Sequence, residues 1–95
     1  MKPIPIRGAK ITGAQIRAAR ALLHLTQSRL VKLSGVRLNP LRNMEDIEGD
    51  LSATHSLALR KKLVEFFESC GVTFWYHDNA YIISYTPLAQ PDEAA

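Results

Sequence analysis

The sequence predicts a mostly α-helical fold that closes on a β-hairpin. Three observations carry this. Apolar residues recur at spacings of three and four between Ile16 and Phe67, which is the helical period. Gly35 and Gly71 stand just past two of these runs, where a chain leaving a helix often needs a positive φ that a Cβ penalises. After Gly71 the pattern changes to VTFWY and AYIISY, β-branched and aromatic runs on either side of a turn-forming His77-Asp78-Asn79. Four to five helices followed by a C-terminal β-hairpin is the resulting expectation.

The elements follow in order. MKPIPIRGAK, residues 1–10, combines prolines, a glycine and basic side chains and reads as an extended basic arm. The plainer alternative is a frayed terminus. A first helix is expected from Thr12 to about His24, because Thr12 and Gln15 have capping-box spacing. Ile16, Ala19, Leu22 and Leu23 form its apolar face, and Arg17 and Arg20 lie near that stripe. Thr26 caps a second helix, Gln27 to Ser34, with Leu30 and Val31 inward and Gly35 in the turn.

A third helix is marked by Pro40. Proline lacks an N–H and is tolerated only in the first turn. Asn39 is then a suitable cap, although a start at Leu38 also keeps Pro40 in the first turn. Leu41, Met44 and Ile47 or Glu48 share one face, and Gly49 ends the helix. A fourth helix runs from about Thr54 to Cys70, with the stripe Leu59, Leu63, Phe66, Phe67 and Cys70. Arg60, Lys61 and Lys62 read as its solvated face. The hairpin occupies 72–85. An isolated pair of strands is barely stable in water, so it must pack on the helices or join another chain's hairpin. TPLAQPDEAA, residues 86–95, has no periodicity and reads as a disordered tail.

Charge is distributed unequally. From Met1 to Met44 there is no Asp or Glu, whereas Lys2, Arg7, Lys10, Arg17, Arg20, Arg29, Lys32, Arg37 and Arg42 are all present. The acids begin at Glu45. A one-signed half is the footprint of a polyanion-binding surface. The chain of 95 residues suits one domain with a modest core, which makes oligomerisation a reasonable expectation. The single Cys70 excludes an internal disulfide framework and fits a reducing, cytoplasmic compartment. No run of about eighteen apolar residues suggests a membrane span, and no apolar signal core follows the basic start.

Two helices joined by a short glycine-containing turn form a DNA-binding module when the second can enter a major groove. Leu38, Asn39, Arg42 and Asn43 are the available base readers, with Asn39 and Asn43 four residues apart on one face. At these residues the sequence resembles a known family. Residues 12–49 look similar to the Cro/cI-type, or XRE-like, helix-turn-helix domains of bacterial and phage regulators, and the segment ITGAQIRAARALLHLTQSRLVKLSGV, residues 11–36, is especially close. The likeness extends over roughly residues 11–76. It implies a lambda-repressor-like four- to five-helix domain over 11–71 and a dimerising hairpin over 72–85.

Residue by residue, the resemblance implies that Gln27 opens the second helix and touches a phosphate. Leu30 fills the inward position, and Leu41 and Met44 dock the recognition helix. Arg20 and Glu45 correspond to a structural ion pair between the first and third helices. Leu38, Asn39 and Asn43 fall on base-reading positions, and Arg37 on the cap of the recognition helix. Lys32 and Arg37 join Gln27 as expected phosphate contacts. Four departures stand out: Val31 where a small residue is usual, Leu33 at an often polar position, His24 in place of a common glycine, and Pro40 inside the recognition helix.

Other chemistry is poorly supported. His24, His55 and His77 lack metal-site spacing, so neither a metal nor a cofactor is implied. There is no G-x-S-x-G, P-loop or G-x-G-x-x-G, and Cys70 closes an apolar stripe, so an enzyme is not expected. Glu65 and Glu68, three apart, lack a companion histidine and read as surface. The expectation is a cytoplasmic, nucleoid-associated transcriptional regulator of a bacterium or phage, binding double-stranded DNA as a homodimer. Phe74, Trp75, Tyr76, Tyr81 and Ile83 are its expected dimer contacts. An alternative is a helix-turn-helix protein-interaction module for RNA polymerase, a partner regulator or a toxin, which Pro40 and the acidic run Glu45, Asp46, Glu48, Asp50 favour. A third reading is a single-strand binder using the aromatic hairpin.

Overall fold

The computed structural model describes residues 4–6, 11–47 and 57–87. Their elements are β1 (Ile4–Pro5), α1 (Gly13–Leu22), α2 (Gln27–Ser34), α3 (Leu38–Asp46), α4 (Leu57–Ser69), β2 (Val72–His77) and β3 (Ala80–Tyr85). The domain is mostly helical, with four described helices followed by an antiparallel hairpin.

The start of α1 is built as its sequence predicts. The Thr12 hydroxyl accepts the Gln15 N–H at 3.1 Å, and the Gln15 Oε1 accepts the Thr12 N–H at 3.1 Å. The helix ends sooner than expected, at Leu22, because His24 adopts the left-handed conformation with φ 57°. The His24 N–H returns to the Ala21 carbonyl at 3.2 Å and the Leu25 N–H to the Arg20 carbonyl at 2.9 Å. This is a Schellman ending, with histidine where glycine is usual. Ile16 and Ala19 are buried as expected, but Leu22, at the end of the helix, is exposed.

α2 spans the expected residues, with the Thr26 hydroxyl accepting the Arg29 N–H at 3.1 Å. Gly35 follows with φ 78°, the turn conformation its position implies. α3 is capped by Arg37, as the family likeness implies, and not by Asn39. Pro40 is therefore its third residue. A capping side chain bonds the N–H of the second or third helical residue, and proline removes one of these. Arg37 makes no such bond. α3 gives way at Ile47, whose backbone is extended, while Glu48 and the expected stop at Gly49 lie outside the described residues.

In α4, Leu63, Val64 and Phe67 are buried, and Leu59 and Phe66 pack against them. The expected start at Thr54 lies outside the described residues. Arg60 corrects the reading of a solvated face: it is buried, whereas Lys61 and Lys62 are exposed. The spacing explains why. Arg60 precedes Leu63, Val64 and Phe67 by three, four and seven residues and so shares their stripe.

Among the described residues the sheet has three strands, not two, in the order β1-β2-β3 and antiparallel throughout. Part of the expected arm is thus an edge strand, with Ile4 opposite Tyr76 and Pro5 opposite Trp75. The Ile6 N–H bonds the Phe74 carbonyl at 2.8 Å. Alternation along a strand turns the Pro5 nitrogen away from β2, so its missing N–H removes nothing from the ladder. The β2–β3 turn consists of Asp78 and Asn79, with φ 52° and 64°. That is the two-residue loop whose twist matches a hairpin, and Asn and Asp accept it at the least cost after glycine.

The core draws on all four helices and on β2. Ile16, Leu30, Leu41, Met44, Leu63, Phe67 and Phe74 are fully buried, and the rings of Phe67 and Phe74 meet edge-to-face with centroids 5.7 Å apart. Each such side chain contributes roughly 1.5–3 kcal/mol relative to exposure. Of the expected core thiol, the structure shows a partly buried Cys70 at the end of the α4 stripe.

Candidate nucleic-acid interface

The α2–turn–α3 unit is oriented by its apolar residues. Leu30 from α2, Val36 from the turn, and Leu41 and Met44 from α3 are buried together. The Ser34 hydroxyl accepts the Val36 N–H at 3.2 Å and steadies the turn. With Leu41 and Met44 pointing inward, the opposite side of α3 must face outward. Asn39, Arg42 and Asn43 are exposed there at offsets of three and four. Three expected base readers therefore share one surface. The fourth, Leu38, is half-buried at the first position of the helix.

Arg37 is exposed at the cap, and Arg29 and Lys32 are exposed on α2. The unit thus presents basic side chains from both helices and from the turn between them. Arg29 adds an exposed charge on α2 that only its basic character marked in the sequence.

Glu45 is the acid nearest this surface in sequence, and the fold removes its charge from it. It is 2 % exposed. Arg20 reaches it with two parallel bonds, Nε to Oε2 at 2.9 Å and Nη2 to Oε1 at 2.8 Å. The guanidinium also donates from Nη1 to the Leu25 carbonyl at 3.0 Å. A fork-to-fork arrangement gives direction as well as attraction. Arg20 is held above the ordinary arginine range, chiefly by its hydrogen bond to Glu45. Partial burial works against this, and the carboxylate charge adds to it.

Gln27 belongs to the same cluster. Its Nε2 donates to the Glu45 Oε1 at 3.2 Å, and the residue is half-buried. Arg17 donates from Nη1 to the Glu45 main-chain carbonyl. Glu45 thus gathers residues of α1 and the first residue of α2 around the end of α3. Arg17 was not singled out for this by the sequence. Its only signal there is its position three residues before Arg20, near the apolar stripe.

The five hairpin residues expected at a dimer contact do not form one surface. Phe74 is fully buried in the core and is not available to a second chain. Tyr76 lies on the same side of the sheet, with its ring 5.2 Å from that of Tyr81 and its hydroxyl bonded to the Asn79 Oδ1 at 3.0 Å. Adjacent strand residues point to opposite faces, so Trp75 is turned to the side away from the helices. There its Nε1 donates to the Ser84 Oγ at 3.0 Å. Ile83 is half-buried against the core and Tyr81 is exposed. The edge of β2 is already occupied by β1.

Among the described residues, no group of three or more His, Cys, Asp or Glu side chains could hold a metal ion. No described helix is long and apolar enough to cross a membrane. Comparison with protein-family models, with curated proteins and with solved structures returns no match to this chain.

Proposed function

We propose that this chain is a sequence-specific double-stranded DNA-binding transcriptional regulator of a bacterium or phage, acting as a homodimer in the cytoplasm. In this reading α2 and α3 are a helix-turn-helix on a lambda-repressor-like domain, and α3 is the recognition helix. The observation that carries it is the composition of the outward side of this unit. Asn39, Arg42 and Asn43 are exposed together on α3, Arg29, Lys32 and Arg37 are exposed elsewhere on the same helix–turn–helix unit, and Glu45 is internally paired with Arg20.

The chemistry follows from groove dimensions. A major groove admits a helix, and Asn and Arg side chains match the donor and acceptor pattern of adenine and guanine edges. Lys32, Arg29 and Arg37 neutralise phosphates and set the register without reading sequence. Gln27 supports the site mainly by holding Glu45, since its amide is engaged there. Pro40 is compatible with this role: α3 starts at Leu38, so the proline falls within the first turn and costs no helical hydrogen bond.

Selection of duplexes from a random pool, followed by binding at about 0.15 M salt, tests the reading. The expected result is a duplex bound on the order of a thousandfold more tightly than a scrambled one. Equal binding of both would overturn sequence recognition and leave the helix-turn-helix as a protein-interaction module. The exposed Asp46 beside the readers is the observation favouring that second reading.

A further inference from the structure

We propose that β3 is the edge through which two copies of this chain associate, pairing antiparallel in the register that sets Tyr81 opposite Tyr85 of the second copy. The inference rests on the homodimer reading above and specifies where and how the copies meet.

The two edges of the sheet are built differently. On the β1 side, Pro5 turns a ring and no N–H outward. β3 is the other end, and no strand lies beyond it among the described residues. Exposed edges are usually protected by lysine, proline or inward charges. β3, AYIISY, has none of these, and it carries two large exposed side chains, Tyr81 at 40 % and Tyr85 at 38 %. An unprotected edge opposite a protected one favours a closed pair over a fibre, because each copy has a single strand to offer.

The register follows from the hairpin. A two-residue turn makes His77 and Ala80 a hydrogen-bonded pair, and such pairs alternate along the ladder. The Thr86 N–H bond to the Gly71 carbonyl at 2.8 Å fits that alternation. The backbone groups of Tyr81, Ile83 and Tyr85 therefore face away from β2. A two-fold axis at Ile83 matches outward groups with outward groups over the whole strand. It also matches like with like, because YIISY carries tyrosine at equal distances on either side of Ile83.

Charge and space agree. No charged residue lies between Asp78 and Asp92, so this contact brings no like charges together in a chain of net charge +3. Beside the edge, on the side of the sheet where the helices pack, a groove of about 440 Å³ lies between α1 and β3. Ala14 and Ala18 line it together with Tyr81 and Ile83. Small side chains there leave room for Tyr85 of the second copy. The Gln15 Nε2 bond to the Ile82 carbonyl at 2.9 Å holds α1 and the edge together.

Cysteine pairing in the full-length chain, with Cys70→Ser as background, tests the register. Directly opposed hydrogen-bonded residues have Cα atoms about 5.5 Å apart, within reach of a disulfide. Tyr81→Cys and Tyr85→Cys chains should cross-link when mixed, and neither should do so alone. Sedimentation should give twice the chain mass for the unsubstituted protein and a twofold lower mass for Ala14→Glu, with unchanged helical content. Cross-linking of either variant alone as strongly as the mixture, a monomeric unsubstituted protein, or a dimeric Ala14→Glu overturns the proposal. A doubled mass without duplex preference would overturn only the DNA reading. Duplex preference by a monomer would overturn the edge pairing and the homodimer reading, and leave sequence recognition standing.

Discussion

Gly13, the first residue of α1, packs against the carbonyl oxygen of Met44 near the end of α3. A Cβ built on Gly13 would collide with that oxygen and lie 3.0 Å from each of the Glu45 and Ile47 carbonyls. The positive end of one helix therefore meets the negative end of another, at a distance only glycine permits. Arg17, one turn further along α1, donates to the Glu45 carbonyl in the same place.

Gly13→Ala should accordingly be destabilising even though its φ allows any residue. The obstructing atoms are main-chain and cannot rotate aside, so a cost of about 2–3 kcal/mol is expected. For a domain of this size that corresponds to a fall of roughly 10–20 °C in Tm. A thermal melt within about 2 °C of the unsubstituted protein would show that the two helix ends can separate freely.

The Arg20–Glu45 pair should behave as a structural link. Glu45→Ala leaves a guanidinium that is only 22 % exposed without its carboxylate, and it also releases Gln27. The expected cost is about 3 kcal/mol, near the lower end for broken buried pairs. Arg20→Met combined with Glu45→Leu should recover part of this, because no charge is then stranded. Because the Arg20 pKa is raised on folding, its contribution is fully present below the unfolded arginine value and is lost only at more alkaline pH. Denaturant midpoints between pH 7 and 10 should therefore show no loss from this residue. Equal stability of Glu45→Ala and the unsubstituted chain would contradict the role.

His24→Gly should stabilise the protein. The backbone at His24 is left-handed, a conformation that costs a residue with a Cβ roughly 1 kcal/mol and glycine little. Glycine's greater freedom in the unfolded chain offsets part of the gain, so a net improvement of about 0.5 kcal/mol is expected. Its ring is exposed, so little packing is lost. A lower denaturant midpoint for His24→Gly would show that the imidazole makes contacts that outweigh the backbone term.

The DNA reading separates two classes of substitution. Asn39→Ala and Asn43→Ala should each cost roughly 1–3 kcal/mol on a selected duplex and little on random DNA. Lys32→Ala and Arg29→Ala should weaken both to a similar degree and reduce the salt slope by about 0.9 for each phosphate left unneutralised. Gln27→Ala should also weaken both, and in addition lower Tm, through its bond to Glu45. If Asn43→Ala affects random and selected duplexes equally, α3 does not read bases.

Local signals in the sequence determined much of the secondary structure. The Thr12–Gln15 capping box, the Thr26 cap, Gly35 and the Asp78-Asn79 turn each act within four residues, so their chemistry could be read directly. Helical periodicity placed Leu30, Leu41 and Met44 in the core and left Asn39, Arg42 and Asn43 outside. The Arg20–Glu45 link came from likeness to a family, since nothing local joins residues 25 apart. Only the tertiary structure decided that Ile4–Pro5 is a strand, that Phe74 is buried, and that Gln27 and Arg17 converge on Glu45. These depend on which surfaces meet across long sequence separations. A single strand or helix face carries no record of its neighbour until packing brings the two together.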